Sequence, residues 1–122
     1  MNINEKNKEI LYQQGLECFI DHRFYDAHEY WEDLWSEYKL PDAKFIQGLI
    51  QLSVGYFHIS NLNINGARGL LNKCIPKLSE YAPMYRNIDI DGILKAIDHT
   101  LKYIDKNNNL KEFDWGLVPK LK

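Results

Sequence analysis

The sequence predicts an all-α protein: a single-domain bundle of about five helices, with the third helix central. Three observations carry this. Apolar residues recur every three or four positions over most of the chain. Turn and cap residues divide that periodic sequence into five stretches. The length, 122 residues, fits one domain over positions 1–122 and leaves no room for a comfortable second one.

The first helix is expected from about Asn4 to Asp21, with Ile10, Leu11, Cys18 and Phe19 on its apolar face. Gly15 lowers its intrinsic propensity without ending it. The second is expected from about Tyr25 to Tyr38. Asp26, Glu29, Glu32 and Asp33 place negative charge in its first half, toward the positive end of the helix dipole. The third is expected from about Pro41 to Ser60, with proline in the first turn. One apolar row holds Phe45, Leu49, Leu52, Tyr56 and Ile59, and a second holds Ile46, Ile50, Val54 and Phe57. Two rows cover most of the circumference, which puts this helix in the middle of the bundle. Gly48 and Gly55 offer a neighbouring helix a close approach.

Asn61–Gly66 has the composition of a turn. The fourth helix follows to about Tyr81, with Ala67, Leu70, Leu71, Cys74 and Leu78 inward and Pro76 expected to kink or divide it. Asp89 or Asp91 caps the fifth helix, whose stripe of Ile93, Leu94, Ile97, Leu101 and Ile104 runs on to about Lys106. Asn107-Asn108-Asn109 ends it. The tail from 107 to 122 carries Phe113, Trp115, Leu117 and Val118, and is expected to pack back on the bundle or on a second subunit. No convincing strand is seen.

Composition narrows the function classes. The net charge is −2 and there is no basic block, so neither a dedicated nucleic-acid binder nor an electrostatic membrane anchor is expected. No apolar run reaches transmembrane length, and the N-terminus is polar and of mixed charge, unlike a signal peptide. Cytoplasmic residence is the resulting default. Cys18 and Cys74 are expected as buried free thiols, and Cys74, with no histidine adjacent, is not expected to be a nucleophile. The eight Tyr, five Phe and three Trp supply apolar area with polar tips that need partners. Trp31 and Trp35 are expected in the core. Exposed aromatics would offer a route to a homo-oligomer.

The chemistry-bearing residues lie on two helices. At about 100° per residue, His28, Glu32 and Trp35 share a face of the second helix, and Glu29 points about 100° away from His28. On the third helix Gln47, Gln51 and His58 fall within about 40°. Buried polar groups are costly unless partnered. The simplest arrangement turns the two stripes toward each other, as a shared cluster of His28, Glu32, Gln47, Gln51 and His58, with Arg68 as counter-charge to Glu32 or Glu29. Three readings stay open. In one, His28, Glu32 and His58 bind a divalent metal such as zinc or manganese, leave a position for water, and support hydrolysis with Glu29 as base. In the second, the cluster is a metal-free pocket for a small-molecule ligand of unidentified chemistry, or a binding module. In the third, which is preferred to a metal site, it is a hydrogen-bonded polar core that fixes helix packing. His22 and His99 look solvated, as does the lysine face of Lys95, Lys102 and Lys106.

These residues also form a recognisable pattern. Phe24-Tyr25-Asp26-Ala27-His28-Glu29-Tyr30-Trp31-Glu32-Asp33-Leu34-Trp35 is similar to the F-x-x-A-H-E-x-x-E-x-x-W segment of the domain-of-unknown-function family 309. Phe45–Leu52 followed by His58 is similar to that family's second segment. Asn63, Gly66-Ala67 and Leu70-Leu71 resemble its third, with one extra residue between Asn63 and Gly66. The resemblance covers about Phe24 to Leu78. It implies a small all-helical fold and carries the label of a predicted metal-dependent hydrolase.

Overall fold

The computed structural model describes residues 2–107 and 109–122, so Asn108 and Met1 lie outside the described residues. Five helices dominate it: α1 (Ile3–Ile20), α2 (Phe24–Glu37), α3 (Ala43–Ser60), α4 (Ile64–Ser79) and α5 (Ile90–Lys106). Buried side chains from all five, and from the tail, join in one core.

The connections α1–α2 and α3–α4 use the same device. In the first, Arg23 N–H donates to Cys18 O and His22 N–H to Phe19 O, with His22 at φ 60°. In the second, Asn63 N–H donates to His58 O and Leu62 N–H to Ile59 O, with Leu62 at φ 61°. Both are Schellman closures, which end a helix by pairing its last carbonyls around one left-handed residue. Neither left-handed residue is glycine, the usual occupant, and the α3–α4 turn is shorter than the span Asn61–Gly66 expected from composition. Helix α4 already starts at Ile64, where Asn63 Oδ1 caps Gly66 N–H at 2.9 Å.

Helix α3 is central, packing on α2 along one side and α4 along the other. Its two apolar rows supply Phe45, Ile46, Leu49, Leu52, Tyr56 and Ile59, all fully buried. Gly48 and Gly55 face Leu78 and Leu71 of α4, where a Cβ would come within 3 Å of the leucine side chain. The glycines therefore set the α3–α4 spacing, and the falling pairs 48–78 and 55–71 make the two helices antiparallel. Gly15 does the same between α1 and α2. The Trp31 indole occupies the space a Cβ would need, and Trp31 Nε1–H donates to Tyr12 O at 3.2 Å.

Four expectations need correction. Pro41 lies in the turn before α3, which starts two residues later at Ala43. Ile10 is exposed, because α1 buries Tyr12, Gly15, Cys18 and Phe19 instead. Pro76 does not divide α4, which runs unbroken from Ile64 to Ser79. Pro76 and Asn72 are both exposed, so the carbonyl that loses its amide partner lies on the solvent side of the helix. Lastly, a two-residue antiparallel pair joins α4 to α5: β1 (Met84–Tyr85) and β2 (Ile88–Asp89). Its turn residues Arg86 and Asn87 have φ of 49° and 63°, the left-handed pair of a type I′ hairpin.

Asp89 Oδ1 then caps α5 by accepting from Gly92 N–H at 2.9 Å. Residues 109–122 lie on the bundle. Leu110, Phe113, Val118 and Leu121 are buried, and Trp115 stacks on Phe24 at 6.0 Å. Cys18 and Cys74 are free thiols inside the core. Among the described residues no helix is long and apolar enough to cross a membrane.

Candidate functional site: a polar band on the second and third helices

Helix α2 buries Phe24, Ala27, Trp31 and Leu34. Next to that face runs a stripe of Tyr25, His28, Glu32 and Trp35, which at helical spacing span about 80°. Tyr25 is 50% exposed and Trp35 39%. Trp35 is thus not a core residue, a correction that follows from its place at the edge of the buried face. On α3, the side left between α2 and α4 carries Gln47, Gln51, Val54, Phe57 and His58, all half-buried. The Tyr25 ring lies 5.2 Å from Phe57 and 5.1 Å from His28, and Phe57 lies 6.3 Å from His58. The two stripes adjoin and form one band across α2 and α3.

The band is not the buried cluster expected. His28 and Glu32 pair at 3.9 Å between Nε2 and Oε2, with side chains 22% and 52% exposed. Gln47 and Gln51 lie half-buried on α3, and Gln51 Oε1 is a buried oxygen without a hydrogen-bond partner among the described residues. Arg68 is not the counter-charge of Glu32 or Glu29. It faces α5, where its guanidinium bonds Asp105 Oδ1 at 3.0 and 3.3 Å, and it reaches Asn65 at 3.4 Å. Glu29 is exposed about a quarter-turn away from His28, beside Arg23, Asp26, Tyr30 and Asp33. Among the described residues no three His, Cys, Asp or Glu side chains are grouped so as to hold a metal ion. The expected set of His28, Glu32 and His58 is therefore not assembled as three ligands around one point.

Local hydrogen bonds orient both imidazoles. His28 Nδ1 lies 2.9 Å from the Tyr25 carbonyl, which only accepts, so Nδ1 donates there and Nε2 is turned toward Glu32 at 3.9 Å. His58 is arranged the other way. Asn63 commits its Oδ1 to Gly66 N–H, so its Nδ2 group donates to His58 Nδ1 at 3.3 Å. His58 Nδ1 is then an acceptor, and Nε2–H is a donor. The band thus holds an imidazole paired with a carboxylate on α2, and a donor imidazole on α3.

A second polar group, in the turn before α3, was not singled out in the sequence. Asp42 is 4% exposed, and its Oδ2 accepts from Tyr85 O–H at 3.0 Å and Arg86 Nε–H at 2.9 Å. The Arg86 guanidinium lies 4.3 Å over the ring of Tyr12. Tyr85 and Arg86 lie 43 and 44 residues after Asp42, so no local spacing signals the group.

Residues 12–70 match the model of a family described as Domain of unknown function (DUF309). The match spans all of α2 and α3 and contains every residue of the band. No curated protein and no solved structure matches the chain.

Proposed function

We propose, for a chain whose residues 12–70 belong to the DUF309 family, that it is a metal-free binding module that pairs with a second copy of itself through the band of α2 and α3. The supporting observation is the combination on one face of exposed Tyr25 and Trp35 with two hydrogen-bond-oriented imidazoles and a carboxylate. Tyrosine and tryptophan are the residues that most often anchor protein interfaces. A two-fold contact needs a self-complementary patch. The band offers one: the His58 Nε2–H donor of one copy can meet the Glu32 carboxylate of the other. Sedimentation equilibrium of the full chain is expected to show a dimer. Tyr25→Ala with Trp35→Ala should return it to monomer with its melting temperature unchanged apart from the lost association. A chain that stays monomeric at every concentration reached, with no concentration-dependent shift of the band's amide resonances, rules the proposal out.

A metal-dependent hydrolase is the second reading, and one observation favours it. The bond from His28 Nδ1–H to a carbonyl is the outer contact that metal-bound histidines usually have, and Glu32 stands next to the free Nε2. This is half a ligand set, which His58 would have to complete by releasing Asn63. Zinc or manganese should then raise the melting temperature of untagged protein, and His28→Ala should abolish the rise. No rise in either metal removes this reading.

A further inference from the structure

The charges of α2, α3 and α4 are sorted by helix. Helix α2 carries Asp26, Glu29, Glu32, Asp33 and Glu37 and no lysine or arginine. Helix α4 carries Arg68, Lys73 and Lys77 and no acidic residue. Between them, α3 has only Lys44 at its start and His58 near its end. Arg68 is taken up by Asp105 and Lys44 by Glu80. Glu29, Lys73 and Lys77 have no ion-pair partner among the described residues, and Glu32 has only His28 at 3.9 Å.

Lys73 and Lys77 share the face of the band. At helical spacing Gly66, Leu70, Lys73 and Lys77 fall within about 60° on α4. That row borders α3 where the band runs. A Cβ on Gly66 would meet the His58 ring at 2.8 Å, and one on Gly48 would lie 3.4 Å from Lys77 Cβ. Leu70 and, on α3, Val54 are half-buried outside the core cluster, so the face has an apolar floor beside its aromatic residues. Helices α2 and α4 both start at the C-terminal end of α3, with Tyr25 against Phe57 and Gly66 against His58. They are therefore parallel to each other. Counted from the Tyr25–Phe57 and Leu71–Gly55 contacts, at about 1.5 Å per residue, Glu29 stands at about the height of Lys73 and Glu32 at about that of Lys77.

We infer that α4 belongs to the self-pairing surface, and that two copies meet about a two-fold axis parallel to α3, with Glu29 and Glu32 of each copy on Lys73 and Lys77 of the other. This rests on the reading of the band as a homodimer surface. An axis parallel to α3 keeps every height and exchanges the two sides, so it lays the acidic edge of α2 on the basic edge of the second copy's α4, twice over. An axis across α3 in the plane of contact would lay α2 on α2 and α4 on α4, acid on acid and base on base. Exposed ion pairs add little affinity, which the aromatic residues supply, while like charges brought face to face cost far more. The sorted charges therefore select the first arrangement and exclude the second.

The test reverses one edge at a time in the full chain. Lys73→Glu with Lys77→Glu leaves both edges acidic, and Glu29→Lys with Glu32→Lys leaves both basic. Neither variant can self-pair without opposing like charges, so each should lose at least about tenfold in dimer affinity by sedimentation equilibrium. Mixed in equal amounts, the two variants restore every contact and should form a 1:1 heterodimer. Melting curves of each variant alone report its folding. Glu29→Lys and Lys73→Glu, single changes at exposed positions, give a milder form of the same test if a double reversal unfolds the chain. The inference is overturned if the parent dimerises and either variant self-associates as tightly, or if two folded variants fail to pair on mixing. Those outcomes leave a dimer through Tyr25 and Trp35 standing, whereas a parent that is monomeric at every concentration removes both.

Discussion

Asn63 and His58 are locked in one direction. The Asn63 side chain caps α4 through Oδ1, and this forces its NH₂ group onto His58 Nδ1 at 3.3 Å. A single asparagine therefore ends one connection, starts the next helix and chooses the tautomer of a histidine on the candidate site.

Nitrogen-15 spectra should accordingly show His58 as the Nε2–H tautomer and His28 as the Nδ1–H tautomer. Asn63→Ala is expected to cost about 1 kcal/mol through the lost cap and to let His58 populate both tautomers. A His58 resonance pattern unchanged in Asn63→Ala would show that the asparagine does not set it.

Leu62 holds a left-handed backbone at φ 61° while half of its side chain is exposed. Leu62→Gly removes the steric cost of that conformation and loses little burial. Stability measured by denaturant titration is expected to rise by about 1 kcal/mol. His22 at φ 60° differs, because its ring stacks on Phe24 at 5.2 Å, so glycine there also removes a contact.

Tyr56 and Thr100 share a fully buried hydrogen bond of 2.7 Å between α3 and α5. Tyr56→Phe leaves the threonine hydroxyl without a partner and should cost about 1–3 kcal/mol. Adding Thr100→Val removes the orphan, so the double variant should be less destabilised than the two single costs predict when summed. Strict additivity in the double-mutant cycle would rule out the coupling.

Cys74 is buried under α3, and burial raises its thiol from 9 to about 12. A thiol whose pKa is raised by folding contributes stability fully below the unfolded value. That contribution falls away as pH rises from 9 toward 12, because the unfolded chain ionises first. The melting temperature should therefore drop more steeply above pH 9 in the parent than in Cys74→Ala. Native Cys74 should also resist alkylation at pH 8 until the chain unfolds. Equal alkaline slopes for the two proteins would contradict this.

What could be read from the sequence was whatever repeats along one helix. The stripe of Ile93, Ile97 and Ile104, the α3 row of Phe45, Leu49, Leu52, Tyr56 and Ile59 and the Asp89 cap all follow from helical spacing and end chemistry, and all are present. So is the sharing of a face by His28 and Glu32. Of the second α3 row, in contrast, only Ile46 is buried, and Ile50, Val54 and Phe57 are half-buried. Spacing says which residues point the same way. It does not say what lies opposite, and that decided the rest. The polar stripes were expected in the core, yet they form a half-exposed band because α3 keeps one side uncovered between α2 and α4. Arg68 found Asp105 on α5, and Asp42 found Arg86 in a hairpin 44 residues on, through contacts that exist only once helices are packed. Local sequence sets the direction of a side chain through the backbone that carries it. Its partner, its exposure and therefore its chemistry come from the neighbouring elements that folding brings against it.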